Sequence, residues 1–270
     1  MTTLQGSATG EYEVKLGRLS SLTGKPTHYC AGCEHGTLTR LIGSAIEELG
    51  AREKTILVES VGCSVLAHEY INTDAVSAPH GRAPAIMSGI KRVRPDLLVF
   101  SVQGDGDAVP IGLSELIYSA IRGEPITVFL VNNAIYGMTG GQMAPTTLGG
   151  MVTTTTPKGR NCRETGGPLD ASKLLAGLEG PSYVKRVFLP VAPTSLPDLY
   201  SARGPLEGAK SVLNAFKVQM MGGFSFVEFI STCSINWKMS ILESKRYASE
   251  TLAKIYPPGL YVDKMGVERK

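Results

Sequence analysis

The chain has 270 residues, 43% of them hydrophobic and 19% charged, with a formal net charge of +3. That is apolar material for one large core or two modest ones, and too little excess charge to draw the chain to nucleic acid or to an acidic membrane surface. No window approaches the roughly 18 apolar residues of a membrane span, and the first residues carry no basic stretch leading into an apolar run. A cytoplasmic protein without nucleic-acid or membrane partners is therefore expected. The five cysteines, an odd number without an export signal, argue against a disulfide framework and leave metal binding or catalysis.

Residues 1–28, with scattered Gly and Pro, read as an N-terminal arm that contributes no core and needs a partner surface to become ordered. From residue 29 to 240 the pattern is that of one domain. Leu38, Leu41, Ile42, Ala45, Ile46 and Leu49 recur at three- and four-residue steps and predict a helix from Thr37 to Leu49, followed by a buried strand Thr55 to Val58. Further helices are expected at Ala83 to Val93, Ile111 to Arg122, Ala171 to Leu178 and Ser195 to Met220, alternating with strands at Leu97 to Val102, Ile126 to Val131, Tyr183 to Leu189 and Phe224 to Ile230. Strands that are almost wholly apolar, set between helices, predict an α/β fold with a doubly wound, mostly parallel sheet. Between Gly137 and Pro168 periodicity stops for about thirty residues, a loop length that is usually functional or disordered. Residues 241–270 read as a C-terminal extension, with a solvated tail after Pro257 and Pro258.

Two constellations carry chemistry. The strand Leu97 to Val102 runs into Gly104-Asp105-Gly106-Asp107, and Ile126 to Val131 ends in Asn132-Asn133. In a parallel sheet both emerge at the carboxyl edge, where α/β folds bind ligands. Glycines admit a phosphate close to the backbone, while a carboxylate and an amide oxygen are the hard ligands Mg²⁺ prefers. Taken alone, Gly-Asp-Gly also describes an ordinary tight turn. The pair, one helix and one strand apart, closely resembles the thiamine-diphosphate fingerprint. That resemblance implies Asp105, Asn133 and the backbone carbonyl of Ile135 on Mg²⁺, with Gly106, Asp107, Gly137 and Met138 lining the diphosphate.

The second constellation begins with Cys30-Ala31-Gly32-Cys33 just before a helix, a spacing that suits an iron-sulfur cluster, a zinc half-site or a redox dithiol. Cys63 and Cys233 each follow a strand and so share the edge with the first constellation. Each alone also reads as a small buried hydrophobe. Cys162, in the polar loop, has no partner motif.

Taken in order, Cys30-Ala-Gly-Cys-Glu-His-Gly36, Val61-Gly62-Cys63-Ser64, His80-Gly81-Arg-Ala83, Gly104-Asp-Gly-Asp107, Asn132-Asn-Ala-Ile-Tyr-Gly-Met-Thr-Gly-Gly-Gln142 and Ser231-Thr-Cys233 resemble the β subunit of 2-oxoacid:ferredoxin oxidoreductases. The resemblance implies one 4Fe-4S cluster on Cys30, Cys33, Cys63 and Cys233, and cofactor contacts from Gly62, Cys63, Ser64, His80, Gly81 and Gly104. The implied reaction is oxidative decarboxylation of a 2-oxoacid to acyl-CoA and carbon dioxide, with single electrons passed to ferredoxin and coenzyme A as co-substrate. No residue matches the glutamate that activates thiamine, so an α subunit is expected to supply it, with γ and ferredoxin-like δ subunits completing a hetero-oligomer. The run from Asn132 to Thr147 looks most like 2-oxoisovalerate and 2-oxoglutarate members, with the branched-chain substrate favoured; an aryl 2-oxoacid or a non-oxidative thiamine decarboxylase are the alternatives.

Relatives often read Cys-Pro-Gly-Cys-Gly, whereas this chain has Ala31 and Glu34. If that second glycine takes a positive φ, Glu34 would be strained or the turn redrawn. Glu34 and His35 are expected near the active-site mouth. Of the four histidines, His80 is the candidate cofactor contact or else a loop anchor, His35 caps its helix, and His28 and His68 are structural.

Overall fold

A continuous apolar strand needs cover on both faces, because successive side chains point to opposite sides of a sheet. The computed structural model, which describes residues 19–190 and 203–269, supplies that cover. Its strands are β1 (Thr55–Glu59), β2 (Asp74–Ser77), β3 (Leu98–Gly104), β4 (Thr127–Asn132), β5 (Pro181–Phe188), β6 (Phe224–Ile230) and β7 (Gly259–Asp263). They form one sheet in the order β2-β1-β3-β4-β6-β5-β7, parallel throughout except where β7 runs antiparallel to β5.

The helices are α1 (His35–Glu48), α2 (Ala83–Val93), the single turn α3 (Asp105–Ala108), α4 (Leu113–Ile121), the short α5 (Cys162–Thr165), α6 (Ala171–Ala176), α7 (Arg203–Met220), α8 (Ser234–Trp237) and α9 (Ile241–Tyr247). Phe100, Val102, Phe129 and Val131 pack with Leu38, Ile42 and Ile46 of α1 and Val212 and Phe216 of α7. Their strand neighbours Val99, Val128 and Leu130 pack on the other face with Met87 of α2, Leu116 of α4 and Leu175 of α6. A third cluster, including Ile135, Leu148, Ile230, Trp237, Leu252 and Tyr256, closes the carboxyl end of the sheet beneath the long loop. Among the described residues no helix is long and apolar enough to cross a membrane.

Three expectations change. The arm is not without core contacts: Ser21 is buried and donates to the Gly43 carbonyl at 2.7 Å, and Leu22 packs onto α1 and bridges Ile71. The tail does not stay in solvent, since β7 extends the sheet and Tyr183 and Lys185 bond to Glu268 at 2.6 and 2.9 Å. Of the helix expected from Ser195, residues 203–220 are helical, and Ser195 to Ala202 lie outside the described residues.

Candidate functional site

The strand register sets the site. Gly104 pairs with Val131 and Asn132 with Ile230, so Asp105, Asn133 and Ser231 leave the sheet at one edge, beside the Val61-Gly62-Cys63 segment after β1. There Val61, Gly62, Cys63, His35, His80, Gly104, Asp105, Gly106, Asp107, Asn133, Ile135, Tyr136, Gly137 and Met138 line one pocket.

Between Asn133 and Ile135 the chain makes a turn that most residues avoid. Ala134 has φ +59, which for a non-glycine residue costs on the order of 1–3 kcal/mol unless its surroundings hold it. They do: the Asn132 side-chain oxygen accepts from the Ala134 N–H at 3.0 Å, and Thr147 Oγ1 donates to the Ala134 carbonyl at 2.6 Å. Asn132 is itself fixed by donating to buried Glu228 at 2.7 Å, and Glu228 pairs with fully buried Arg186 at 2.8 Å. The Asn133 carbonyl is engaged from the other side by Trp237 Nε1 at 3.2 Å. This scaffold brings Asn133 and Ile135 to the same pocket as Asp105.

Asp105 is buried, with Thr146 donating to its carboxylate. Burial pushes its pKa up to about 7, against the opposing hydrogen bonds from Thr146 and the Gly106 N–H. A buried carboxylate this reluctant to ionise suits a cation partner. Asp107 serves a different purpose. Its oxygens accept from Ser60, Gln103 at 2.5 Å, the Gly81 N–H at 2.7 Å and His80 Nδ1, so it fixes the loop and leaves the far side of the His80 ring for the pocket. His80 is thus both the loop anchor and a pocket-lining group. Gly81 and Ser64 stand behind the wall: Gly81, at φ +77, abuts the backbone of Gly112, and Ser64 donates to the Val102 carbonyl at 2.7 Å.

Cys30, Cys33, Cys63 and Cys233 all line a second cavity of about 270 Å³, together with Tyr29, Met138 and Asn236. Burial raises the Cys33 thiol to about 12 and Cys63 to about 11, and raises Cys233 as well, with the neighbouring cysteines adding to the shift. Asn236 donates to the Gly137 carbonyl at 2.7 Å and to Cys233 Sγ at 3.3 Å. Cys162 is exposed and lies outside this group.

His35 does not cap α1. Its Nδ1 lies 3.1 Å from Cys33 Sγ, its ring stacks on Tyr29, and it reaches the first pocket; burial, then His28, lowers its pKa to about 4. His28 hydrogen-bonds Tyr70 at 2.7 Å and also lines the cysteine cavity, while His68 bonds Glu59 at 2.7 Å. Glu34 is unstrained at φ −78, the positive φ falling on Gly32, and it is buried rather than at the mouth. Trp237 and Asn236 carry no motif of their own, and Tyr136 and Thr146 lie in the Asn132–Thr147 run without being singled out there; only the folded loops bring them here.

Residues 60–192 match the C-terminal TPP-binding domain of thiamine pyrophosphate enzymes. The 2-oxoglutarate synthase subunit KorB of Archaeoglobus fulgidus is 34% identical over 85% of this chain and 78% of its own length. The chain belongs to the 2-oxoacid:ferredoxin oxidoreductase β subunits. Within that family the ketoisovalerate oxidoreductase subunit VorA of Methanothermobacter thermautotrophicus is 44% identical over 86% of this chain, which spans 46% of that relative's length. A solved 2-oxoglutarate:ferredoxin oxidoreductase from Magnetococcus marinus, with 2-oxoglutarate, coenzyme A and succinyl-CoA bound, superposes with a TM-score of 0.71 at 26% identity, covering 90% of this chain and 83% of the other. A TPP-domain fold within this oxidoreductase family therefore accounts for the mostly parallel sheet.

Proposed function

We propose that this β subunit carries the thiamine diphosphate and one 4Fe-4S cluster of a cytoplasmic oxidoreductase that converts a 2-oxoacid and coenzyme A to acyl-CoA and carbon dioxide, passing single electrons to ferredoxin. The observation that carries the reading is a shared wall: Cys63, Asn133, Gly137 and Met138 line both the pocket of Asp105 and the cavity of the four thiols. Groups held in the two cavities would lie side by side, as electron transfer between them requires.

The residues fit both groups. Asp105, Asn133 and the Ile135 carbonyl are the oxygen donors Mg²⁺ takes, and a divalent cation would relieve the cost of ionising Asp105. Gly104, where an added Cβ would meet nothing within 4 Å, leaves the backbone open to a diphosphate, Gly106 and Gly137 line the same pocket, and His80 is held there by Asp107. Among the described residues no three His, Cys, Asp or Glu side chains converge so as to hold a single metal ion, whereas the four cysteines share one cavity, so a polynuclear group suits them better than one ion. When bound, thiamine diphosphate supplies the carbanion that attacks the 2-oxo carbon, and the cluster accepts electrons one at a time. The chain's own part is to bind, orient and bring the two together.

An α subunit would complete the thiamine site with its activating glutamate, and γ and ferredoxin-like δ subunits would complete the assembly. Identity of 44% to a ketoisovalerate subunit, against 34% to a 2-oxoglutarate subunit, supports a branched-chain 2-oxoacid such as 2-oxoisovalerate as substrate. The test is iron, acid-labile sulfide and thiamine diphosphate per β chain in the anaerobically purified complex, followed by turnover with 2-oxoisovalerate and 2-oxoglutarate. Cluster iron with thiamine and a preference for 2-oxoisovalerate supports the whole reading. Thiamine without cluster iron would replace it with a non-oxidative decarboxylase, and a preference for 2-oxoglutarate would change the substrate alone.

A further inference from the structure

Glu34 is a buried carboxylate, 3% exposed, that lines neither cavity. Its Oε2 accepts from the Thr232 N–H at 2.6 Å, Thr232 Oγ1 at 2.9 Å and Ser231 Oγ at 3.0 Å, while its Oε1 lies 2.7 Å from Lys245 Nζ of α9. One side chain therefore joins the segment after Cys33, the segment before Cys233, and a helix from the end of the chain. The same helix presses on the cysteine loop directly: a Cβ added at Gly32 would lie 2.6 Å from Ile241 Cγ2. A carboxylate buried this deeply is stable only while its partners are in place, so the arrangement is rigid.

We propose that the Glu34–Lys245 pair positions the Cys33 and Cys233 segments and holds two opposing charges in balance on the reduction potential of the cluster, an inference that rests on the cluster reading above. The physical reason is that a fixed charge in a poorly solvated interior acts strongly on an electron added nearby. Glu34 opposes that electron and Lys245 favours it; as a pair they nearly cancel. Removing either charge alone unmasks the other. Glu34→Gln should raise the midpoint potential of this subunit's cluster, Lys245→Met should lower it, and the double variant should return toward the wild type. A purely structural role would not give shifts of opposite sign.

The experiment is an anaerobic redox titration of the purified complex, followed by electron paramagnetic resonance, on the wild type and the three variants, with iron and sulfide measured on each. Opposite shifts at wild-type iron content uphold the proposal; shifts of the same sign, or none, overturn it. If Glu34→Gln sheds its iron, Lys245→Met, which keeps every bond from Ser231 and Thr232, decides alone: a lowered potential upholds the proposal and an unchanged one overturns it. A wild-type complex without cluster iron in this chain would instead sink the cluster reading itself, and the role of the pair with it.

Discussion

Thr146 donates its hydroxyl to the carboxylate of Asp105 across 41 residues of chain. The bond matters because it orients a buried carboxylate that lines the pocket. Partners of a metal ligand commonly account for 10–100-fold in metal affinity, so Thr146→Val should weaken Mg²⁺-dependent retention of thiamine diphosphate by about that factor. Asp105→Ala should abolish it. Cofactor titration of the assembled complex at varied Mg²⁺ checks both, and wild-type retention in Asp105→Ala would remove this residue from the metal site.

The cysteines divide cleanly by position. Cys63 stands in the wall shared by the two cavities and exposed Cys30 still lines the second, whereas Cys162, on α5, lines neither. Cys63→Ala and Cys233→Ala should lose most of this subunit's iron, since each removes one of the four thiols that line the cavity. Cys162→Ala should retain it. Equal iron loss in the Cys162 and Cys233 variants would mean that the fourth ligand has been misassigned.

How much of this was legible beforehand follows from the range of each signal. The central strands β1, β3, β4 and β6 announce themselves by largely apolar runs, broken only by residues such as Ser101, Ser225 and Glu228, and with them the common edge of Asp105, Asn133, Cys63 and Cys233. Edge strand β2 does not, because all four of its residues are exposed and nothing demands an apolar pattern. Strand β7 hides for a related reason, its Leu260 being exposed and its pairing limited to one neighbour. Glu34 is plain in the sequence as a departure from the motif, yet its partners lie 197 to 211 residues away. Only the fold converts an odd residue into a buried clamp. For Asp107 the position was legible and the contacts were not: it lines the pocket, and its oxygens accept from Ser60, Gly81 and Gln103.

The tail offers a pH test. Burial works to raise the Glu268 carboxyl, but hydrogen bonds from Tyr183 and Lys185 outweigh it and hold the pKa at about 2, below the ordinary 4.5. A depressed carboxylate adds stability that is fully present above its unfolded pKa and is lost as pH falls through the folded one. Glu268→Gln should therefore lower the melting temperature at neutral pH, and its deficit relative to wild type should shrink as pH drops from 4.5 toward 2. A deficit that stays constant over that window would show that the charge contributes nothing and that β7 is held by its backbone pairing alone.

Gly106 faces Tyr136 so closely that a Cβ there would lie 2.5 Å from the ring Cδ1. Alanine ordinarily favours a helical turn over glycine, by roughly 1 kcal/mol, so Gly106→Ala in α3 would be neutral or stabilising if space allowed. Here it forces the Tyr136 ring aside, and overpacking of this kind costs roughly 1–3 kcal/mol. Tyr136 lines the Asp105 pocket and its backbone is held by the bridge to Gln142, so the side chain must take up the shift, with the pocket beside it as open space. The displaced ring then competes for the space of the diphosphate. Thiamine diphosphate affinity should fall about ten- to hundredfold, since each 1.4 kcal/mol is a factor of ten, while the circular dichroism spectrum stays that of the folded chain. Restoring room with the double variant Gly106→Ala, Tyr136→Leu should recover much of the loss. Unchanged affinity in the single variant would mean that the ring yields elsewhere and that Gly106 is dispensable to the cofactor.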